Sequence, residues 1–374
     1  MVEVDYYDIV RQKLTLGPLE VPKHKKTIEL LKTFWNEEEI KILSQFESAD
    51  KSITLKKLEE KTGIPKNELK LILSRSVRVG TLHKSGNKYA LEPILPGVFE
   101  KYFQRRTDTE ENQLKVAKLY RDIMKEVSPQ ANFESGFNIF RPLLPLDAQD
   151  KLIKINKSYD IEAQAYPYET VMEIIKNNDQ FTVIPCQCRL IGEMTGEPCE
   201  VAPSEMGCFI AGAASTMMSN VPGARSLNKE EAIEFLRETE KRGLVHNAIE
   251  DKGNESSSFF CNCCGCHCGA LFPAKQFHVR GANPSNYAPQ IDAETCTKCE
   301  ICLKKCPNDA IFHRWPLKSD SSDEMMVVRN ELCIGCGICA VNCPNNAIKM
   351  VKVRDNIPPD KKLIGNKTFT ELLL

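Results

Sequence analysis

The chain has 374 residues, 42% of them hydrophobic, with 50 Lys plus Arg against 51 Asp plus Glu. That length predicts about two to four domains with real cores, and a formal charge of −1 argues against a nucleic-acid sponge or a membrane-surface protein. The anomaly is cysteine: there are 17, all at or beyond position 186.

Met1-Val2-Glu3-Val4-Asp5-Tyr6-Tyr7 shows no basic patch followed by an apolar core and does not read as a signal peptide. No apolar run reaches the roughly 18 residues a bilayer span needs; the longest candidate, 208–218, is short and carries Ser and Thr. A reducing cytoplasm is therefore expected, with thiols that hold metal rather than one another.

Residues 1–36 predict one or two short helices. From 37 the rhythm sharpens: 37–46 places Ile40, Leu43 and Phe46 on one helical face, with Ile42 beside them. After a polar loop, 55–62 predicts a short helix ended by Gly63, and Pro65 opens a third that runs through Val77 to Gly80. A hairpin follows, 81–84 and 88–91 around Ser85-Gly86-Asn87. Three helices and a hairpin form the winged-helix pattern. Lys66, Lys70, Arg75, Arg78, Lys84 and Lys88 are its candidate DNA-facing set. Residues 37–95 hold 11 Lys plus Arg against 9 Asp plus Glu, a weak excess for a DNA reader, so protein docking or dimerisation is the favoured use.

Residues 98–180 read as mostly helical, with helices at 112–127 and 168–176 and then a strand, 181–184, that delivers Pro185-Cys186. Residues 229–243 predict an amphipathic helix, with Ala232, Ile233, Phe235 and Leu236 on its apolar side. Residues 279–290, rich in Gly, Asn and Pro, read as a linker, and Asn283-Pro284-Ser285-Asn286 as turn chemistry. A tail follows, extended at Pro358-Pro359, with a docking helix at 368–374.

The last quarter repeats one pattern. Cys296-x-x-Cys299-x-x-Cys302-x-x-x-Cys306-Pro307 recurs as Cys333-x-x-Cys336-x-x-Cys339-x-x-x-Cys343-Pro344, each followed by Asn-Asp/Asn-Ala-Ile. Three cysteines at i, i+3 and i+6 hold three corners of a [4Fe–4S] cubane, and the fourth, before proline, crosses to the other cluster. Cluster one is assigned to Cys296, Cys299, Cys302 and Cys343, and cluster two to Cys333, Cys336, Cys339 and Cys306. Gly335 and Gly337 are expected to let the backbone approach the cluster. Paired zinc knuckles favour two separated Cys-x-x-Cys pairs and fit this run poorly. The pattern resembles the bacterial two-cluster ferredoxin family over residues 290–352. Residues 313–326 form a longer polar insertion than that family needs, a candidate partner-selecting loop.

The middle region carries Cys186-x-Cys188-Arg189, Cys199, Cys208 and Cys261-x-Cys263-Cys264-Gly265-Cys266-His267-Cys268. Nine thiols exceed one site's need. At least one further [4Fe–4S] cluster is expected, with ligands from both the early and late groups, and zinc is the alternative. Arg189 is placed to donate hydrogen bonds to sulfur. Residues 185–271, with Pro96-Gly97-Val98-Phe99-Glu100, resemble a set of 4Fe–4S ferredoxin-type proteins of anaerobic prokaryotes. That resemblance implies electron transfer with an unassigned partner, and His267 departs from its pattern, where cysteine is frequent. His24, His83, His246, His278 and His313 stand alone, and Met217 and Met218 read as core. The sequence has no Gly-x-Gly-x-x-Gly, phosphate loop or His-Glu-x-x-His.

The resulting expectation is a multidomain α+β chain. It comprises a winged-helix-like region (1–105), a helical linker with a cysteine-rich domain (106–280), a two-cluster ferredoxin domain (281–352) and a tail (353–374). No catalytic residue is assigned. The favoured function is an electron-transfer component serving a partner oxidoreductase or carrier protein. The alternatives are a reductase with an open-site middle cluster and a redox-sensing DNA-binding regulator.

Overall fold

The computed structural model describes residues 4–15, 20–49, 51–127, 140–149, 152–153, 169–249, 257–315 and 324–356. The expected docking helix at 368–374, the extended Pro358-Pro359 and most of the 313–326 insertion lie outside them. Helices and several small sheets, antiparallel but for one pairing, make an α+β chain. By contact density the chain divides into two units, one built from Met1–Phe137, Leu190–Pro198 and Lys362–Leu374, the other from Asn138–Arg189 and Cys199–Lys361.

The first unit runs α1 (Tyr6–Lys13), α2 (Lys25–Phe34), α3 (Glu37–Leu43), β1 (Ser52–Thr54), α4 (Leu55–Thr62), α5 (Lys66–Ile72), α6 (Ser74–Val79), β2 (His83–Ser85), β3 (Lys88–Ala90), α7 (Phe99–Arg105) and α8 (Glu110–Asp122). Local chemistry sets the ends. Asn36 and Glu39 form a reciprocal capping box on α3, Thr54 caps α4, and Gly63 ends α4 in the left-handed region at φ 72°. The expected third helix is two helices, interrupted at Leu73. The polar stretch before residue 55 supplies β1, which completes a three-stranded sheet in the order β1-β3-β2. A polar strand of three residues has too short a period to be seen in sequence. Phe34, Trp35, Phe99, Tyr102, Phe103 and Tyr120 form the aromatic core.

The second unit begins with β4 (Phe140–Pro142), α9 (Leu146–Gln149), β5 (Leu152–Ile153), α10 (Val171–Lys176) and β6 (Phe181–Ile184). Helix α11 (Gln187–Met194) leads out of it. It resumes with β7 (Cys208–Gly212), α12 (Ala213–Met218), β8 (Arg225–Leu227), α13 (Lys229–Arg242), β9 (Val245–Ile249), β10 (Ser257–Cys263) and α14 (Leu271–Gln276). The remaining elements are β11 (Tyr287–Ile291), α15 (Ile301–Lys305), β12 (Ile311–Arg314), β13 (Met325–Val328), α16 (Ile338–Val341) and β14 (Ile348–Lys352). Six strands form one antiparallel sheet in the order β4-β9-β10-β7-β6-β8. Helix α13 buries Ala232, Phe235 and Leu236 with Phe181, Phe209 and Phe260 of the sheet. It starts in an Asn228–Glu231 capping box and ends at Gly243, φ 98°.

Two expectations need correction. The supposed linker 279–290 is folded: Ala282, Ser285, Asn286 and Tyr287 are buried, and β11 pairs antiparallel with β14. Its polar residues look exposed in sequence but are used internally, with Asn286 Nδ2 donating to Glu169 at 2.5 Å. Met217 is 58% exposed while Met218 is buried, because adjacent positions on a short helix cannot both face the core.

Candidate metal centres

The two cysteine runs at the C-terminus fold as near copies. Lys298 and Glu300 in the first, and Gly335 and Gly337 in the second, all take left-handed backbone conformations, with φ between 58° and 74°. These four residues flank Cys299 and Cys336, so both loops curl the same way. Asp309 and Asn346 repeat the match at φ 50° and 51°. The Ala310 amide donates to Cys306 Sγ at 3.2 Å, and the Ala347 amide to Cys343 Sγ at 3.3 Å. An amide aimed at sulfur stabilises the thiolate a metal requires.

The loops bring the thiols together in a crossed arrangement. Cys306, Cys333, Cys336 and Cys339 line one cavity, and Cys296, Cys299, Cys302 and Cys343 line another. Burial pushes the Cys302 thiol up to about 11, and Cys306, Cys333, Cys336 and Cys339 also rise through burial. Four thiols facing one cavity suit a cationic core that reverses this penalty by coordination. The glycines also make close packing contacts. A Cβ on Gly335 would collide with the Tyr287 carbonyl and Ser285 Oγ, and one on Gly337 would stand 2.9 Å from Pro145 Cδ. They let the loop lie against β11 and the turn before α9.

In the middle region, strand ends converge. Strand β6 ends at Ile184 and places Cys186 beside β7, whose neighbour β10 brings Cys261 and Cys263. Gly207 passes so close to Ile184 and Cys186 that no side chain fits there. The nine thiols form two adjoining groups, and Cys264 of the first lies close enough to push up Cys186 and Cys263 of the second. Cys199, Cys264, Cys266 and His267 place one ligand atom each within 4.8 Å of one another. Cys199 and Cys266 sulfurs are 3.4 Å apart. The other six trace a ring. Cys186 meets Cys188, Cys188 senses Cys268, and Cys263 contacts both Cys268 and Cys261. Cys208 lies 3.5 Å from Cys261 and closes electrostatically on Cys186.

Arg189 stands between the groups, fully buried. Its guanidinium donates to the carbonyls of Pro203 (3.0 Å), Asn262 (2.8 Å) and Met206 (2.5 Å) and bonds Cys264. Burial opposes its charge, yet Cys186, Cys264 and Cys199 push its pKa up. In turn the hydrogen bond from Cys188, and Arg189 beside it, bring Cys186 down to about 7 despite burial. Hydrogen bonds from Cys199, Cys266 and His267 hold Cys264 well below the usual thiol range. The sequence singled out Arg189 for this place, but it left out His267, whose spacing had no second histidine to mark it. It also left out Asn247, a buried neighbour of the lone His246 that pairs with Cys261 across β9 and β10.

The middle region and the C-terminal repeat adjoin. A Cβ on Gly265 would stand 2.6 Å from the Pro307 carbonyl oxygen, so the loop of Cys264 and Cys266 rests directly on the residue after Cys306. Cys263, Cys268 and Cys336 share one apolar cluster with Val245, Leu271, Ile334 and Ile338. Lys305 Nζ donates to the Lys241 and Arg242 carbonyls at 3.1 and 3.0 Å, and Asn342 Nδ2 to the Glu240 carbonyl at 2.9 Å. Lys305 and Asn342 are equivalent positions of the repeat, each just before its fourth cysteine. Together they close the C-terminal end of α13.

Residues 289–312 and 326–349 each match the family of the 4Fe-4S binding domain. No curated protein and no solved structure matches the chain. The matched segments contain all eight repeat cysteines, and they make the C-terminal region a 4Fe-4S ferredoxin-type module with capacity for two clusters and for electron transfer. The cysteine-rich middle region can hold a further metal. Among the described residues no helix is long and apolar enough to cross a membrane.

In the first unit, the candidate DNA-facing cations are partly engaged. Arg75 donates to the Phe34 carbonyl and pairs with Asp108, both at 2.7 Å, Arg78 donates to the Thr107 carbonyl, and Lys66 pairs with Glu59 at 3.2 Å.

Proposed function

We propose that this protein is an iron–sulfur electron-transfer component that passes single electrons between its ferredoxin-type module and a third iron–sulfur centre in the middle region, and so to or from a partner oxidoreductase. Cys296, Cys299, Cys302 and Cys343 would hold one cluster, and Cys306, Cys333, Cys336 and Cys339 the second. The ring of Cys186, Cys188, Cys208, Cys261, Cys263 and Cys268 would supply the ligands of the third. Bound there, such clusters exchange one electron each. The observation that carries this reading is the shared apolar packing of Cys263 and Cys268 with Cys336. It puts ligands of both sets in one buried apolar cluster. Cys299, exposed at the far set, offers an edge where a partner could approach.

The winged-helix reading of the first unit draws support from its helix order and three-stranded sheet. The internal bonding of Arg75 and Arg78 favours protein docking over DNA reading for that unit. The clustered free thiols support a reducing cytoplasm.

The test is a reductive titration of anaerobically purified full-length protein alongside iron and sulfide analysis. Uptake of about three electrons by about twelve irons per chain supports the proposal, on four irons per cubane. Uptake confined to the two ferredoxin-type clusters would refute the third centre.

A further inference from the structure

We propose that Cys199, Cys264, Cys266 and His267 form a separate mononuclear site for a zinc ion, distinct from the iron–sulfur centres. The first ground is size. A tetrahedral zinc with Zn–S bonds of about 2.3 Å sets its sulfurs about 3.8 Å apart. The four ligand atoms here lie within 4.8 Å of one another, with Cys199 and Cys266 sulfurs at 3.4 Å. A single ion can therefore reach all four atoms at once.

The second ground is donor chemistry and charge. Three thiolates and one imidazole make a closed Cys₃His shell, a common structural zinc set. With Zn²⁺ the shell carries a net −1, and the buried guanidinium of Arg189, bonded to Cys264, supplies the matching positive charge. The third ground is location. Cys199 and Cys266 pack with Cys264 on the core of Phe209 and Phe235, whereas Cys261, Cys263 and Cys268 belong to the apolar cluster that includes Cys336. The ligands on either side of the site therefore face different centres.

Zinc has no redox chemistry of its own, so this site is a clamp. It ties the loop bearing Cys199 to the 261–268 segment and fixes Gly265 against Pro307. In doing so it sets the approach of the middle thiols to the ferredoxin-type module.

The experiment uses full-length protein expressed with both iron and zinc supplied and purified anaerobically. Elemental analysis is expected to find about one zinc per chain beside the iron, and zinc-edge X-ray absorption a shell of three sulfurs and one nitrogen. His267→Ala should release the zinc and keep the iron, and His267→Cys should retain zinc with a four-sulfur shell. If the variants do not fold, the wild-type absorption spectrum decides alone. Absence of zinc, a wild-type shell of four sulfurs, mononuclear iron in its place, or loss of about four irons in His267→Ala would each overturn the proposal. Failure of the electron-transfer reading is seen separately, as iron that takes up no electrons whatever the zinc content.

Discussion

Replacing Gly265 by alanine tests the contact on which the proposed electron path depends. The backbone there has an ordinary φ, so the substitution adds no left-handed strain, and its whole effect comes from space. The new Cβ would stand 2.6 Å from the Pro307 carbonyl oxygen, 3.2 Å from Pro307 Cα and 3.3 Å from its carbonyl carbon. Real Cβ contacts essentially never fall below 3.0 Å, so the two segments must part by about 0.4 Å at least. All three atoms are backbone, and no side chain can swing aside. An extra methyl forced into such a site costs about 1–3 kcal/mol. At about 2 kcal/mol the docked arrangement loses roughly 30-fold in population relative to an undocked one. The assay has two arms on anaerobic protein: denaturant stability followed by cluster absorbance, and freeze-quench EPR of electron arrival at the middle centre after rapid reduction. The expected result is a loss of about 1–3 kcal/mol, with slowed arrival and unchanged iron content. Stability within about 0.5 kcal/mol of wild type and unaltered kinetics would refute the contact.

Cys343→Ala should remove about four irons and the signal of the cluster held with Cys296, Cys299 and Cys302, sparing the other cluster; loss of the cluster of Cys333, Cys336 and Cys339 instead would contradict the crossed arrangement. Gly335→Ala should destabilise the module by about 2–5 kcal/mol, the sum of left-handed strain and overpacking against Tyr287 and Ser285, as read from cluster bleaching in denaturant. Lys298→Gly, at the equivalent place where a side chain is already accommodated, should be neutral or mildly stabilising, and a matching loss there would show that packing is not the cause. The hydrogen bond to Glu300, with a second to Glu324, holds His313 above its ordinary 6.5. The imidazolium's stabilising effect is therefore fully present below that value and lost as pH rises through the raised one. The stability gap between wild type and His313→Gln should shrink with rising pH across that window, and a gap that widens would reverse the assignment.

The repeat was legible because its chemistry is local. Cys296 to Cys302 and Cys333 to Cys339 each lie within one loop, so spacing alone predicts three ligands apiece, and the prolines after Cys306 and Cys343 mark the crossing residues. The caps of α4 and α13 were equally local, with Gly63 and Gly243 at their ends. The middle region was not legible in that way. Its partition into a group of four and a ring of six depends on Cys199 meeting Cys266, two loop residues far apart in sequence, and on Cys208 meeting Cys261, a pairing set by the register of β7 and β10. His267 looked like a departure because cysteine is frequent at its place in the resembling proteins, and Cys199, which completes its group, lies in a distant loop. The burial of 279–290 was hidden for the same reason: Glu169, which anchors Asn286 and Tyr287, lies more than a hundred residues earlier.

The central claim is that the middle thiols and the ferredoxin-type module hold neighbouring clusters on one electron path. EPR of the fully reduced, anaerobically purified chain tests it most directly. Adjacent paramagnetic clusters should give a broadened, spin-coupled spectrum that involves the middle centre and simplifies when Cys263 is replaced by serine. Colourless protein that accepts no electrons, or a spectrum of the two ferredoxin-type clusters alone that Cys263→Ser leaves unchanged, would contradict it.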